Sequence, residues 1–320
     1  MLGSASRMIR DARAEWGALA FVPFFTTAYV AILIVLGGQL RAEHWVLAVI
    51  VPVLGYAGAR GARFLRDAFP WVFVVVSYDT VRYARAAWLH ADTVLSCGLR
   101  SAELRFFSVA PGVTVQDWFV AHHRPFADLL CAVPYGVFAY FALIYASYLF
   151  FVDRPRMRRF LWAFAIANVM SYACWLLVPA APPWYIRTHG CGVDLAAIPS
   201  EGAALARVDA ALGMTYFHSW YSRASSVFGA MPSMHCAYPM LGLLTAWRHA
   251  TWKTRPLHIA YVVWMATSAL YLDHHWVLDV LGGWLVAIVA VIAATAAVKA
   301  AERRTIATTT TRMAEGRNAA

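Results

Sequence analysis

Apolar runs long enough to cross a lipid bilayer constrain this chain more than any other feature of its sequence. A span takes about 20 predominantly apolar residues. Inside hydrocarbon a backbone satisfies its own N–H and C=O groups only as a helix or a closed barrel. Runs of this kind cover residues 16–38, 44–59, 69–88, 126–152, 160–180, 234–247, 257–272 and 276–298. The second and sixth are short, so each is open to being tilted, re-entrant or extended by its neighbours. Composition agrees, since 61% of the residues are hydrophobic and 14% charged, against about 45–50% and about 25% in soluble domains. The expectation is an all-α, polytopic membrane helix bundle of about eight spans.

The formal net charge of +10 would suggest nucleic-acid binding in a soluble protein. Here the basic residues sit between the apolar runs, so they read as topology, and no nucleic-acid partner is expected. One set of connections carries Arg7, Arg10 and Arg13, then Arg60, Arg63 and Arg66, then Arg154, Arg156, Arg158 and Arg159, then Arg248, Lys253 and Arg255, then Lys299, Arg303 and Arg304. The other set holds scattered Arg residues in longer loops. The positive-inside rule puts the first set, with both termini, in the cytoplasm. The first run exceeds a signal-peptide core and no small-residue cleavage site follows it, so it reads as a retained anchor. The organisation expected is residues 1–68 as N-terminal spans and a cytoplasmic loop, 69–300 as a catalytic membrane domain with outer loops 89–125 and 181–233, and 301–320 as a disordered cytoplasmic tail. Within the first outer loop, residues 115–122 mix aromatic and polar side chains in the manner of a segment lying along the membrane interface. The five cysteines lack metal-ligand spacing. Cys97 and Cys191 fall in the two outer loops, where a disulfide is open to them if the loops approach.

Ionisable groups at the rim of a span are costly and mark functional sites by default. Two blocks stand out, both assigned to the outer face: FGAMPSMH at 228–235, entering the sixth run, and YLDHHWVLD at 271–279, followed by Gly282 and Gly283. His275 and Asp279 are four apart at a helix start and so share a face. A carboxylate against one imidazole nitrogen leaves the other free as nucleophile or base. His235 would be a second imidazole, placed to protonate a leaving oxygen, and Ser233 would offer a hydroxyl to phosphate oxygens. His274 joins them as a substrate-binding residue. The rival readings are isolated headgroup-level histidines and a His/Asp metal site.

Together the blocks resemble the type-2 phosphatidic acid phosphatase superfamily. They are most similar to its branch of aureobasidin-sensitive inositol phosphorylceramide synthases and bacterial relatives. That resemblance implies a six-helix core, no metal or other cofactor, His275 as nucleophile, Asp279 as its orienting partner and His235 as general acid/base. Superfamily phosphatases also carry a Lys and an Arg-Pro in a first motif, and a Ser-Arg pair before the third. Here Ser268-Ala269 stands at the second of these positions, and His123-Arg124-Pro125 lacks the preceding cation. The same departures occur in the synthase branch.

Another cation must therefore meet the phosphate. Arg82 in YDTVRYAR (78–85) is the first choice, with Asp79 beside it; an Asp79–Arg82 pair holding helices together is the equal alternative. Arg124 and Arg223 are further choices. The expected enzyme moves a headgroup phosphate, by resemblance inositol phosphate from phosphatidylinositol, to a lipid alcohol through phosphohistidine. With water as acceptor it would be a lipid phosphatase. A lipid transporter is the non-enzyme alternative, but its usual inverted repeats are not visible. The partners implied are a phospholipid donor and a lipid alcohol acceptor, at the non-cytoplasmic face of a cell membrane.

Overall fold

The computed structural model describes residues 2–36, 40, 42–195, 202–224 and 226–318, with the backbone alone at 2–3, 79, 82, 85–87, 139, 301–302 and 304–318. It is helical, and the described residues form no strand, only isolated bridge pairs. The chain divides into two compact units, Met1–Ser77 and Tyr78–Ala320, with the division falling inside a helix.

The first unit holds α1 (Leu2–Trp16), α2 (Phe25–Val35), α3 (Ala42–Tyr56) and the start of α4 (Ala59–Trp88). The first apolar run is not one straight helix. Gly17 turns to φ 54 and Pro23 brings no N–H, so two 3₁₀ turns separate α1 from α2, bending the pair by 90°. The Trp16 indole donates to the Gly55 carbonyl at 2.9 Å, and Ala12, Trp16, Val51, Ala62, Leu65 and Val72 form the unit's core.

The second unit continues α4 and adds α5 (Cys97–Phe107), α6 (Val115–Ala121), α7 (Pro125–Val152), α8 (Arg154–Leu177), α9 (Pro183–His189), α10 (Leu205–Leu212), α11 (Tyr216–Tyr221), α12 (Met234–Ala246), α13 (Arg255–Tyr271) and α14 (Val277–Asn318). Helix α12 packs against α7, α8, α13 and α14. With the end of α4, whose Tyr78 ring lies 6.3 Å from Tyr172 of α8, these make six helices. The described residues of the eight apolar runs are mostly helical, but among the described residues two helices, 154–177 and 277–300, are by themselves long and apolar enough to span, or up to four if each bent pair counts as one. At 1.5 Å per residue, the 13 residues of α12 fall short of a bilayer core. Residues 301–318, expected to be disordered, continue α14 as helix.

The described parts of the two long connections, 89–125 and 181–233, pack onto the bundle. Leu95 N–H donates to Pro179 O, Ala181 N–H to Leu95 O, and Ala180 N–H to Phe228 O, at 2.8–2.9 Å. Three backbone segments are thereby sewn side by side. In α6, which Thr114 and Asp117 start with a capping box, Gln116 is fully buried.

Cys97 and Cys191 form a disulfide with Cα atoms 5.3 Å apart at a sequence separation of 94. Closing so long a loop restricts the unfolded chain by up to about 4–5 kcal/mol in the chain-entropy account. Cys97→Ser should therefore lower the thermal midpoint of the detergent-solubilised protein by several degrees. An unchanged midpoint would mean that the bridge does not tie the loops together.

Candidate active site

The loop that joins α13 to α14 sets the site. Helix α13 stops because Asp273 takes a left-handed conformation, φ 62, which short polar residues tolerate at helix ends. The chain reverses and begins α14 with its N–H groups satisfied by acids. Asp279 Oδ2 accepts from Trp276 N–H and Glu103 Oε1 from Leu278 N–H, both at 2.8 Å. On the other side, Ser233 caps α12 by accepting the Cys236 N–H at 3.3 Å. The two motif blocks are joined through backbone, Ser233 N–H donating to Asp279 O at 2.9 Å.

Gly283 allows this approach. A Cβ there would lie 2.2 Å from the Ser233 carbonyl oxygen, so Gly283→Ala must push α14 from α12. Overpacking of this kind costs about 1–3 kcal/mol, and here it also displaces the histidine-bearing ends. The expected outcome is lost activity with a lowered thermal midpoint, while Gly98→Ala, with no atom within 4 Å of the added Cβ, changes neither. A fully active Gly283→Ala enzyme would show that the close approach is not needed.

Within this frame His275, His235 and Asp279 come together. His275 Nδ1 lies 3.0 Å from Ala230 O and 3.4 Å from Asp279 Oδ2. Both are acceptors, so Nδ1 carries the proton and Nε2 the lone pair. That Nε2 lies 3.1 Å from His235 Nδ1, which must then be the donor. Asp279 is fully buried and its Oδ1 has no described partner. Gln116 Nε2 donates to the His275 carbonyl at 3.0 Å. The nucleophile candidate is thus held at ring, backbone and following turn.

Other expected site residues are placed differently. His274 points away from the pair. Its Nε2 donates to Gly202 O at 3.2 Å and its ring stacks on Tyr221 at 4.7 Å, so it anchors the connection between α9 and α12. Burial, with His275 beside it, pushes its pKa down to about 3, which keeps it neutral. Ser233 spends its hydroxyl on the helix cap. Arg124 and Arg223 are exposed; Arg124 meets the site's surroundings through its backbone N–H, which donates to the Tyr271 hydroxyl at 2.9 Å. The side chains of Asp79 and Arg82 lie outside the described residues. Among the described residues, no group of three or more His, Cys, Asp or Glu has the geometry to hold a metal ion.

Several supporting residues carry no signature in the sequence. Arg187 of α9 grips Asp273 with two bonds, at 2.9 and 3.0 Å, and Asp117 of α6 at 2.8 Å. Arg100 reaches Asp117 at 2.9 Å. Burial works against the Asp117 charge, but the Thr114 N–H, Arg187, the Thr114 hydroxyl and Arg100 hold its pKa below the usual range. A buried acid in the motif, Asp273, was the one signal that a cation such as Arg187 had to be near.

Comparison with known proteins fits this arrangement. Residues 98–293 match the model of the PAP2 superfamily, an interval that contains both histidine blocks and Asp279. The chain belongs to the PAP2 superfamily. Among curated relatives, the phosphoinositol dihydroceramide synthase of Bacteroides thetaiotaomicron is 30% identical over 249 residues, covering 76% of this chain and 81% of that protein. The inositol phosphorylceramide synthase catalytic subunit of Schizosaccharomyces pombe is 33% identical over 164 residues, 51% of this chain and 39% of that one. Its Saccharomyces cerevisiae counterpart is 31% identical over 174 residues, 54% and 43%. The matches therefore span less than half the length of the two fungal proteins. No solved structure matches the chain. This PAP2 member is a membrane enzyme of the phosphotransferase kind, as its synthase relatives are.

Proposed function

We propose that this enzyme moves inositol phosphate from phosphatidylinositol to ceramide or a related lipid alcohol, through a phosphohistidine on His275. The observation that carries the reading is the direction of the His275 ring, with Nδ1 against two acceptors and Nε2 toward a second histidine. The donor and acceptor lipids follow the names of the relatives.

In the first step Nε2 of His275 bonds to phosphorus and the bond from phosphorus to the diacylglycerol oxygen breaks. His235 gives that oxygen a proton from Nδ1. It does so from its imidazolium form, which an anionic phosphate between the rings favours. Nitrogens 3.1 Å apart leave no room for phosphorus, so the rings part as the donor enters. Asp279 stabilises the charged, phosphorylated imidazole. In the second step the acceptor hydroxyl attacks phosphorus, passes its proton to His235 and frees His275. Arg82 remains our choice for the cation that meets the phosphate oxygens.

We place the site on the non-cytoplasmic face, with both termini cytoplasmic. Loop charge supports this, and so does the Cys97–Cys191 bridge, since disulfides persist in oxidising compartments.

The test uses purified enzyme in vesicles with phosphatidylinositol labelled in its phosphate. Label should pass to ceramide or diacylglycerol and remain lipid-bound. Release of water-soluble inositol phosphate at the same rate, with or without lipid alcohol, would make the enzyme a hydrolase and overturn the transferase reading.

A further inference from the structure

Five aromatic rings form one column through the site, and His235 is its second member. Phe138 and Tyr135 are three apart on α7, hence on one face, and they hold the His235 ring between them. The centroids are 4.1 Å apart at 33° for Phe138 and 4.2 Å apart at 13° for Tyr135. Beyond Tyr135 the column continues to His274 at 5.3 Å and then to Tyr221 of α11 at 4.7 Å.

Hydrogen bonding alone does not fix the His235 plane. Among the described residues its ring has one such bond, to His275, and that bond must break when phosphate enters. The faces of Tyr135 and Phe138 persist through the reaction. They also suit an imidazolium, because a cation over an aromatic face is attracted by the ring quadrupole. The Tyr135 hydroxyl is buried without a described partner. An unpaired buried hydroxyl costs stability, so the useful part of this residue is its ring.

We propose that Tyr135, with Phe138 opposite, is a positioning residue for proton transfer. Its ring holds the His235 imidazole in the plane that keeps Nδ1 aimed at the oxygen leaving phosphorus. The inference rests on the phosphotransfer reading of His235.

The experiment compares two donors, phosphatidylinositol with its alkoxide leaving group and a nitrophenyl ester of inositol phosphate, whose aryloxide leaves without a proton. General acid catalysis is worth about 10²–10⁴-fold, and a mis-set ring forfeits part of it. In single turnovers, Tyr135→Leu should slow diacylglycerol release from bound phosphatidylinositol by about 10- to 100-fold, but nitrophenol release from the aryl donor by less than about 3-fold. Tyr135→Phe, which keeps the ring, should restore the lipid rate. Phe138→Leu strips the opposite face and should repeat the donor split, so it carries the comparison if Tyr135→Leu is not recovered folded. Equal losses on both donors, or a Tyr135→Phe enzyme as slow as Tyr135→Leu, would overturn the proposal. His235→Ala runs alongside: if it shows no donor split, the failure lies in the acid/base role of His235 and not in the clamp.

Discussion

His275→Ala is expected to reduce headgroup transfer by roughly 10⁵-fold or more, since loss of a covalent nucleophile removes the reaction path itself. The protein should still fold, because the 275 backbone, not its ring, is what Gln116 holds. Asp279→Asn should be milder but still severe, about 10³–10⁴-fold, by analogy with carboxylates that fix a catalytic histidine's tautomer. Asp279 Oδ2 also accepts the Trp276 N–H, so part of this loss will appear as a lower thermal midpoint. Rates in vesicles and melting curves in detergent separate the two. A His275→Ala enzyme within tenfold of wild type would remove His275 as nucleophile. His274 would not inherit the role, being turned away and bonded to Gly202.

The second large effect is at His235. His235→Ala should slow transfer from phosphatidylinositol by about 10²–10⁴-fold, because an alkoxide leaves poorly without a proton. Much of that loss should return with the nitrophenyl donor. The second step still needs a base, so recovery should be clearest in release of nitrophenol during a single turnover. An equal loss on both donors would mean that His235 binds phosphate instead of moving a proton.

The candidate pair, His275 and Asp279, was legible because the information is local. His275 and Asp279 are four apart in sequence, one just before α14 and the other in its first turn, and the order of the apolar runs was enough to expect the two blocks together. What holds the pair was not. Glu103 and Gln116 come from the long connection between α4 and α7, whose residues would ordinarily be solvated, yet both are fully buried against the start of α14. Their use depends on how the loops are sewn at Leu95, Ala180 and Phe228, a long-range arrangement without periodicity. The same holds for Tyr135, one aromatic among many in an apolar run. Ser233 and His274 were drawn to the substrate by their company in the motifs, whereas the fold uses one as a helix cap and the other as a loop anchor. The eight apolar runs foretold helix correctly and length less well. Gly17 breaks the first, and α12, with Pro239 inside it, is only a short helix.

A covalent intermediate on His275 is the central claim, and one measurement addresses it directly. Wild-type enzyme is mixed in stoichiometric amount with phosphate-labelled phosphatidylinositol, without lipid alcohol, and quenched in denaturant at alkaline pH. The label should stay on the protein, resist base, be lost in mild acid as a phosphoramidate is, and map to the peptide bearing His275. It should be absent from His275→Ala and should chase into product when ceramide is added. Diacylglycerol release at the full catalytic rate with no protein-bound label at any time would contradict the account.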